Sequence, residues 1–276
     1  MNTLIASLIL ASSAFSSSIQ KADNTYIDSA NVVYSQHSEP VERSIIMNNW
    51  GAICKSSNFH VGLDIQTKYV WRGMEMITDS AAPVLFPVLN YQWNNLYVYA
   101  MGGYAVNGKY VEVDMGFSYT WHGLTIGVND YYYPTVTEIY DEYFGGTRNG
   151  HWLEACLTYS PDKVPIWITA SNFFCGDDDM YLTSNVDVRQ AYSTYFEVGT
   201  YYSFLDSNKL SLAVGMTPSA SCYNGYINAF SVCNIDLKYT YNWNINNSLV
   251  LPLSVEVIYN PIYDKPHINF IANFAL

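Results

Sequence analysis

Ten charged residues recur at alternate positions of segments whose other positions are apolar. Seven are acids and three are bases, and they are Asp64, Lys68, Arg72, Glu112, Asp114, Glu154, Glu197, Asp236, Lys238 and Glu256. Charged side chains that leave bulk water must be paired or solvated. Gathered on one face of a sheet, these groups would line either a hydrated passage or a packed interior whose charges pair across strands. Lys68 and Arg72 share one face of the first segment and could form a basic stripe opposite the acids.

Residue types that carry catalysis or hold metals form no recognisable constellation in the sequence. No GxSxG, HExxH or phosphate-binding loop occurs. We interpret His151 as a surface histidine beside an acidic loop. The acids expected in loops lack the alternating spacing of a calcium-binding loop, and they are Glu138, Asp141, Glu142, Asp177, Asp178 and Asp179. The sequence therefore predicts no metal, no cofactor and no enzyme; a hydrolase using Ser, His and Asp groups is the alternative from another class.

The five cysteines do not form a zinc-binding pattern, because no CxxC pair is present. Cys175 and Cys222 fall in two successive loops that we expect to be long. Both could therefore reach a common position, and we name them as a candidate disulfide. Bridging would need their Cα atoms within roughly 7 Å.

The composition indicates contact with lipid through strands. The chain is 50% hydrophobic and 13% charged over 276 residues, whereas soluble domains carry roughly 25% charged residues. Beyond the N-terminus no apolar run approaches the roughly 20 residues of a spanning helix. The net charge of −12 argues against nucleic acid as a partner, because a nucleic-acid binder needs clustered Lys and Arg.

The chain divides into three parts. Residues 1–18 have the apolar stretch and small residues of a secretory signal peptide. Residues 19–57 are polar and lack sustained alternation, so we expect an N-terminal periplasmic extension. Residues 58–276 alternate with period two, which is typical of strands with two different faces. These residues are predicted to form the folded domain.

The folded domain is predicted to be all-β, a transmembrane antiparallel up-and-down β-barrel of about twelve strands. The segment 233–244 is the clearest strand, with Ile235 and Leu237 on one face and Asp236 and Lys238 on the other. Twelve such segments can be counted. Tight turns such as 94–95 and 122–123 alternate with longer connections, as in outer-membrane barrels. A soluble β-sandwich also alternates, but its outer face is the polar one.

Aromatic residues of one parity lie at the ends of these strands. We expect them to face outward and to form two girdles at the lipid–water interfaces. The predicted girdle residues are Trp71, Trp93, Trp121, Tyr132, Tyr159, Tyr202, Trp243, Tyr259 and Phe274.

The segment Leu63 to Gly73, with its Tyr-x-Trp-Arg-Gly motif, resembles the first strand of TorF-like porins. The similarity continues through 87–103 and the Tyr-rich stretch 131–134. Over roughly residues 60 to 135 the chain thus resembles a family of bacterial outer-membrane barrels, and the resemblance implies a porin.

Together these patterns predict a barrel of the bacterial outer membrane with lipid as its surroundings. We expect a narrow porin-like channel for small polar or cationic solutes. An occluded structural or surface-binding barrel, recruited by other outer-membrane proteins, stays open as the alternative. Twelve strands do not decide between them, because roughly eight strands give a filled interior and roughly 16–18 an aqueous channel.

Overall fold

The computed structural model describes residues 58–78, 82–134, 143–146, 149–182, 187–246 and 249–275. The predicted signal peptide and extension, and the loop acids Glu138, Asp141 and Glu142, lie outside these residues. Within them no helix is long and apolar enough to cross a membrane.

Twelve antiparallel strands form one closed barrel, which confirms the predicted fold class and strand number. The wall strands are β1 (Phe59–Gln66), β4 (Val84–Trp93), β5 (Leu96–Ala105), β6 (Val111–Trp121), β7 (Leu124–Tyr132), β8 (His151–Tyr159), β9 (Ile166–Gly176), β12 (Thr194–Phe204), β13 (Asn208–Thr217), β14 (Ser231–Asn246), β15 (Leu249–Asn260) and β16 (Lys265–Ala275). Four short strands lie in connections: β2 (Val70–Trp71), β3 (Met74–Glu75), β10 (Asp179–Leu182) and β11 (Asp187–Gln190). A 3-10 helix covers Cys222–Asn224.

The first and last wall strands close the barrel. β1 pairs with β16 in a register that sets Asp64 opposite Asn273. The Asn273 amide donates a hydrogen bond of 2.7 Å to the Asp64 carboxylate across this seam. In the described strands of the wall, closure leaves no unpaired edge, which is a requirement for strands that face hydrocarbon.

The wall has two faces of opposite character. Large apolar side chains such as Trp121, Ile126 and Ile268 stand outward and are 59–61% exposed. Side chains of the other parity, such as Asp64 and Asn269, are fully buried inside. This alternation follows from the period of two in a strand, and it orients the wall with its apolar face outward.

The connections differ at the two ends of the barrel. The two-residue turns at 94–95 and 122–123 join paired strands directly, with Asn94, His122 and Gly123 at positive φ. At the other end, the strand ends are joined by longer stretches of sequence, 67–83, 133–150, 177–193 and 218–230. We call this the long-loop end.

The segment after β1 leaves the wall and enters the barrel, and this was not predicted. β1 ends at Gln66, and residues 70–75 form a small hairpin, here named the lumen hairpin. Its turn residues Arg72 and Gly73 both have positive φ, 50° and 80°, as a two-residue type I′ turn requires. Lys68, Trp71 and Arg72 were expected on the first wall strand; that placement is wrong, because all three follow its end.

The lumen hairpin is fixed by backbone contacts with distant strands. The Gly73 carbonyl accepts a hydrogen bond of 2.9 Å from Asn260 Nδ2. A Cβ atom on Gly73 would overlap the Cys233 carbonyl oxygen of β14. Only glycine therefore permits this approach of hairpin and wall.

An aromatic core fills the barrel toward the long-loop end. Its buried members come from the lumen hairpin, the wall and the 218–230 connection, and they include Tyr69, Trp71, Phe86, Tyr131, Phe173, Tyr195 and Tyr223. Trp71 lies 5.4 Å from Tyr131 and 5.8 Å from Tyr223, measured between ring centroids. The hairpin is thus packed into the lumen as a plug.

Candidate functional site

The Arg72 guanidinium lies at the centre of the plug and is almost completely buried. Its Nη1 donates to Glu154 Oε1 at 2.5 Å, and its Nη2 donates to Glu154 Oε2 at 3.3 Å. Nη1 also donates to the Tyr223 hydroxyl at 2.5 Å. A bidentate contact of this kind uses the planar geometry that guanidinium and carboxylate share.

Three aromatic rings surround the same cation. The Arg72 Cζ atom lies 4.7 Å from the Trp71 ring centroid, 4.5 Å from that of Tyr195 and 5.6 Å from that of Tyr223. A cation over a ring face within about 6 Å is attracted by the ring quadrupole. We call Glu154, Trp71, Tyr131, Tyr195 and Tyr223 the Arg72 pocket.

The carboxylate of the pocket has further donors on the wall. Tyr131 donates to Glu154 Oε2 at 2.8 Å, and the Cys156 thiol lies 3.1 Å from the same oxygen. Glu154 is wholly buried. A buried charge needs both a partner and additional hydrogen bonds, and Glu154 has both.

Other inward carboxylates have neutral or cationic partners. Glu197 accepts from the Trp167 indole at 2.8 Å and from the Tyr195 hydroxyl at 2.7 Å. Lys238 and Glu256 lie 3.7 Å apart. The wall therefore combines ion pairs with carboxylates held by neutral donors.

Nine of the ten predicted lumen residues are buried: Asp64, Arg72, Glu112, Asp114, Glu154, Glu197, Asp236, Lys238 and Glu256. The tenth, Lys68, is partly exposed; it contacts Glu75 at 2.7 Å and His267 at 3.1 Å. The structure brings Arg72 to Glu154 and Lys238 to Glu256. Glu75 and Tyr223, which sequence reasoning missed, complete contacts to Lys68 and Arg72.

The predicted girdle residues fall into two groups. Seven are at least 36% exposed on the outer surface: Trp93, Trp121, Tyr159, Tyr202, Trp243, Tyr259 and Phe274. Trp71 is 3% exposed inside the plug, so its predicted outward position is wrong. Tyr132 is also buried, so its predicted exposure is wrong; the rings of His151 and Tyr143 lie 4.6 and 4.9 Å from its own ring, measured between centroids.

His151 was expected at the surface, but it is buried and joins β8 to the segment 143–146. Its Nδ1 lies 2.9 Å from the Asp130 carboxylate, and its Nε2 lies 2.7 Å from the Tyr143 backbone carbonyl. A carbonyl oxygen only accepts hydrogen bonds, so Nε2 must donate and is unavailable as a general base. Tyr143 also donates to Asp130 at 2.8 Å. Burial, followed by this hydrogen bond, raises the pKa of Tyr143 to about 12.

The long connections at the mouth interlock through Asp178. Its carboxylate accepts from the Ser193 backbone N–H at 2.6 Å and from the Ser193 hydroxyl at 2.7 Å. The Ser193 hydroxyl oxygen in turn accepts from the Cys222 N–H at 2.8 Å. Burial raises the pKa of Asp178 despite these bonds.

The cysteines of the described residues are free thiols, so the candidate disulfide between Cys175 and Cys222 is not formed. Cys222 belongs to the 3-10 helix that packs into the lumen, where burial raises the pKa of its thiol well above the usual range. The positions of these cysteines in two successive long connections are therefore not enough to bring their sulfurs into a bond. Among the described residues, no three His, Cys, Asp or Glu side chains cluster in a way that could hold a metal ion.

The chain matches no protein-family model and no curated protein. Among solved structures it is similar to the KdgM porin, with 8% identity and a TM-score of 0.43 over 79% of this chain and 97% of that one. It is similar to the NanC porin, with 8% identity and a TM-score of 0.44 over 79% and 98%. An outer membrane channel from Pseudomonas putida F1 has 11% identity and a TM-score of 0.43 over 81% and 97%. At this identity the likeness concerns the fold alone.

Proposed function

We propose that this chain is a barrel of the bacterial outer membrane that forms a narrow, porin-like channel for small polar or cationic solutes. The observation that carries the proposal is the closed wall, which is apolar outside and charged inside. A wall of this kind suits lipid on its outer face. The excess of acids over bases on the inner face favours cations among the solutes.

The lumen hairpin makes this a channel with a closed mouth. It places Trp71 and Arg72 across the interior, where both are at most 3% exposed. Passage of a solute therefore requires the hairpin to move away from Glu154. The proposed channel is a gated one, and the hairpin is its gate.

Three further parts of the proposal rest on the sequence. Residues 1–18 would direct export and 19–57 would lie in the periplasm. The similarity of residues 60–135 to TorF-like porins supports membership of that family. The absence of catalytic function is also part of the proposal, and the donating role of His151 Nε2 supports it.

The test has two stages. The purified chain, refolded into detergent, should migrate differently on gels before and after heating, as a stable barrel does. In planar lipid bilayers it should then give discrete current steps that favour K⁺ over Cl⁻. Loss of heat-modifiable migration would overturn the barrel, and silence from both the wild type and a variant without the Arg72 side chain would overturn the channel.

A second candidate is an occluded structural or surface-binding barrel, acting as a subunit of a larger outer-membrane assembly. The observation that favours it is the burial of nine of the ten lumen charges. It predicts that no substitution in the hairpin yields current. Co-purification of other outer-membrane proteins with the silent barrel would support this candidate.

A further inference from the structure

The Arg72 pocket surrounds a guanidinium with a carboxylate and aromatic rings, and the guanidinium that fills it is a side chain of the same protein. Arg72 and Trp71 come from the lumen hairpin, whereas the carboxylate and the other rings come from outside it. Glu154 is on β8, Tyr131 on β7 and Tyr195 on β12, and Tyr223 is in the 3-10 helix. If the hairpin moves, most of the pocket stays with the barrel.

We propose that this fixed half of the pocket, Glu154 with Tyr131, Tyr195 and Tyr223, binds a guanidinium-bearing solute whose place Arg72 takes when the hairpin is closed. The inference rests on the channel function proposed above, because it needs the hairpin to leave. It adds the class of solute and the site in the lumen that selects it.

The fixed half keeps its shape without Arg72. Tyr131 is bonded to Glu154 at 2.8 Å, and Tyr195 is bonded to Glu197 at 2.7 Å. The Tyr223 ring stacks on Phe173 with 6.3 Å between centroids and an 18° angle between planes. Each group is therefore held by a contact that does not involve the hairpin.

The position of Tyr223 has a second support in its own loop. The Ser221 side chain accepts the Tyr223 N–H and caps the 3-10 helix. Asn224 Nδ2 donates to the backbone carbonyls of Ser219, Ile227 and Ala229. These bonds order the 218–230 connection locally, so the Tyr223 hydroxyl stays in place for a new donor.

The negative charge of Glu154 favours binding of a cation when Arg72 leaves the pocket. Glu154 is wholly buried, and a buried carboxylate left without its partner is strongly unfavourable. The shape of the pocket then selects which cation enters. A planar, delocalised guanidinium matches both the two-pronged carboxylate and the ring faces, whereas a hard metal ion needs about six or more oxygen ligands.

The solute and the hairpin consequently compete for one site. A guanidinium that binds Glu154 prevents Arg72 from returning and so holds the gate open. In a variant without the Arg72 side chain, the same cation would bind in an already open lumen and reduce the current. The direction of the effect thus depends on whether Arg72 is present.

The experiment measures single-channel current in planar bilayers with methylguanidinium as the probe and methylammonium as the comparison ion. We expect R72A to conduct, and millimolar methylguanidinium to block it more strongly than methylammonium does. The block should weaken about tenfold or more in R72A/E154Q, because a hydrogen bond to a charged group is lost. In R72A/Y195L, which keeps the carboxylate but removes a ring, the block by methylguanidinium should also be weaker. R189A, at an exposed arginine of β11, should behave as the wild type.

A second measurement separates this inference from the channel itself. Thermal unfolding of the detergent-refolded barrel should show that methylguanidinium stabilises R72A and leaves R72A/E154Q unchanged. Stabilisation without current in any variant would overturn the channel but support the site. Current in R72A with equal block in R72A and R72A/E154Q would overturn the site and leave the channel. Neither current nor stabilisation would overturn both.

Discussion

Gly73→Ala is expected to open the barrel, because the lumen hairpin cannot keep its position with a side chain there. Gly73 has a φ of 80°, where an L-residue costs roughly 1–2 kcal/mol. The new Cβ would also overlap the Cys233 carbonyl. That atom is backbone of a wall strand, so the hairpin must give way rather than the wall.

The magnitude follows from adding these two effects. Forcing a methyl group into a filled space typically costs about 1–3 kcal/mol. With the φ penalty the closed position loses roughly 3 kcal/mol, and about 1.4 kcal/mol corresponds to a tenfold change in population. The ratio of open to closed barrels should therefore rise roughly 100-fold.

The assay is the open fraction of single channels in planar bilayers, with gel mobility before and after heating to verify that the barrel is formed. Gly108→Ala is the matched control. Gly108 has a similar φ of 72°, but its Cβ would meet only the Tyr104 hydroxyl at 3.9 Å. Gly108→Ala should leave the open fraction unchanged. A heat-modifiable Gly73→Ala barrel with the open fraction of the wild type would refute the gate.

Three other predictions concern stability, lipid contact and the segment 143–146. Arg72→Met should lose about 3–5 kcal/mol of unfolding free energy, because Glu154 stays buried without its partner; urea titration should show most of this recovered in Arg72→Met/Glu154→Leu, and equal losses would contradict the ion pair. Brominated lipid should quench the fluorescence of the exposed Trp93 but not that of Trp71, so Trp93→Phe, and not Trp71→Phe, should reduce quenching. His151→Ala removes one of the two hydrogen bonds that hold Tyr143, the bond from His151 Nε2 to the Tyr143 carbonyl, and leaves the bond from the Tyr143 hydroxyl to Asp130. Faster amide hydrogen exchange is therefore expected in residues 143–146 without a change in current, and unchanged exchange would show that the His151 bond does not hold this segment.

The wall was predictable because each strand has an apolar outer face and a polar inner face, and this imposes a period of two on its sequence. Every second residue of β14 from Ile235 to Trp243 is apolar, and the structure pairs this strand with β13 and β15 in the expected antiparallel way. The turn residues His122 and Gly123 also lie where the sequence placed them. Lipid outside and polar groups inside are properties of the whole strand, so a single sequence reveals them.

The partners of the inward charges were harder to predict from the sequence than the face on which those charges lie. Sequence alternation placed Asp64, Glu154 and Glu197 on the inner face, where they are buried. It could not show that Glu197 relies on neutral donors from Trp167 and Tyr195. The Trp167 contact depends on the stagger between β9 and β12, which alternation within one strand does not define, whereas Tyr195 shares the inner face of β12 with Glu197 two residues away.

The lumen hairpin was missed although its local sequence carries the signal of a turn. Trp71-Arg-Gly-Met74 and Trp121-His-Gly-Leu124 have the same pattern, and both fold as two-residue turns with the Trp paired to the following Met or Leu. The sequence analysis predicts the second as a turn and the first as part of a strand. The alternation that continues past Gln66 suits a buried hairpin as well as a lipid-facing strand, so it does not reveal where the strand ends.

What distinguishes the two turns is their distant partners. At Trp121 the chain returns along the wall, and that side chain is 61% exposed. At Trp71 it enters the lumen, because Arg72 finds Glu154 and Tyr223, which are 82 and 151 residues away along the chain. A cation flanked by aromatic residues in a turn is stable inside only if the folded wall supplies a carboxylate opposite it. The proposed gate therefore depends on the closed barrel, and its test is whether removing the partner of Glu154 alters passage as well as stability.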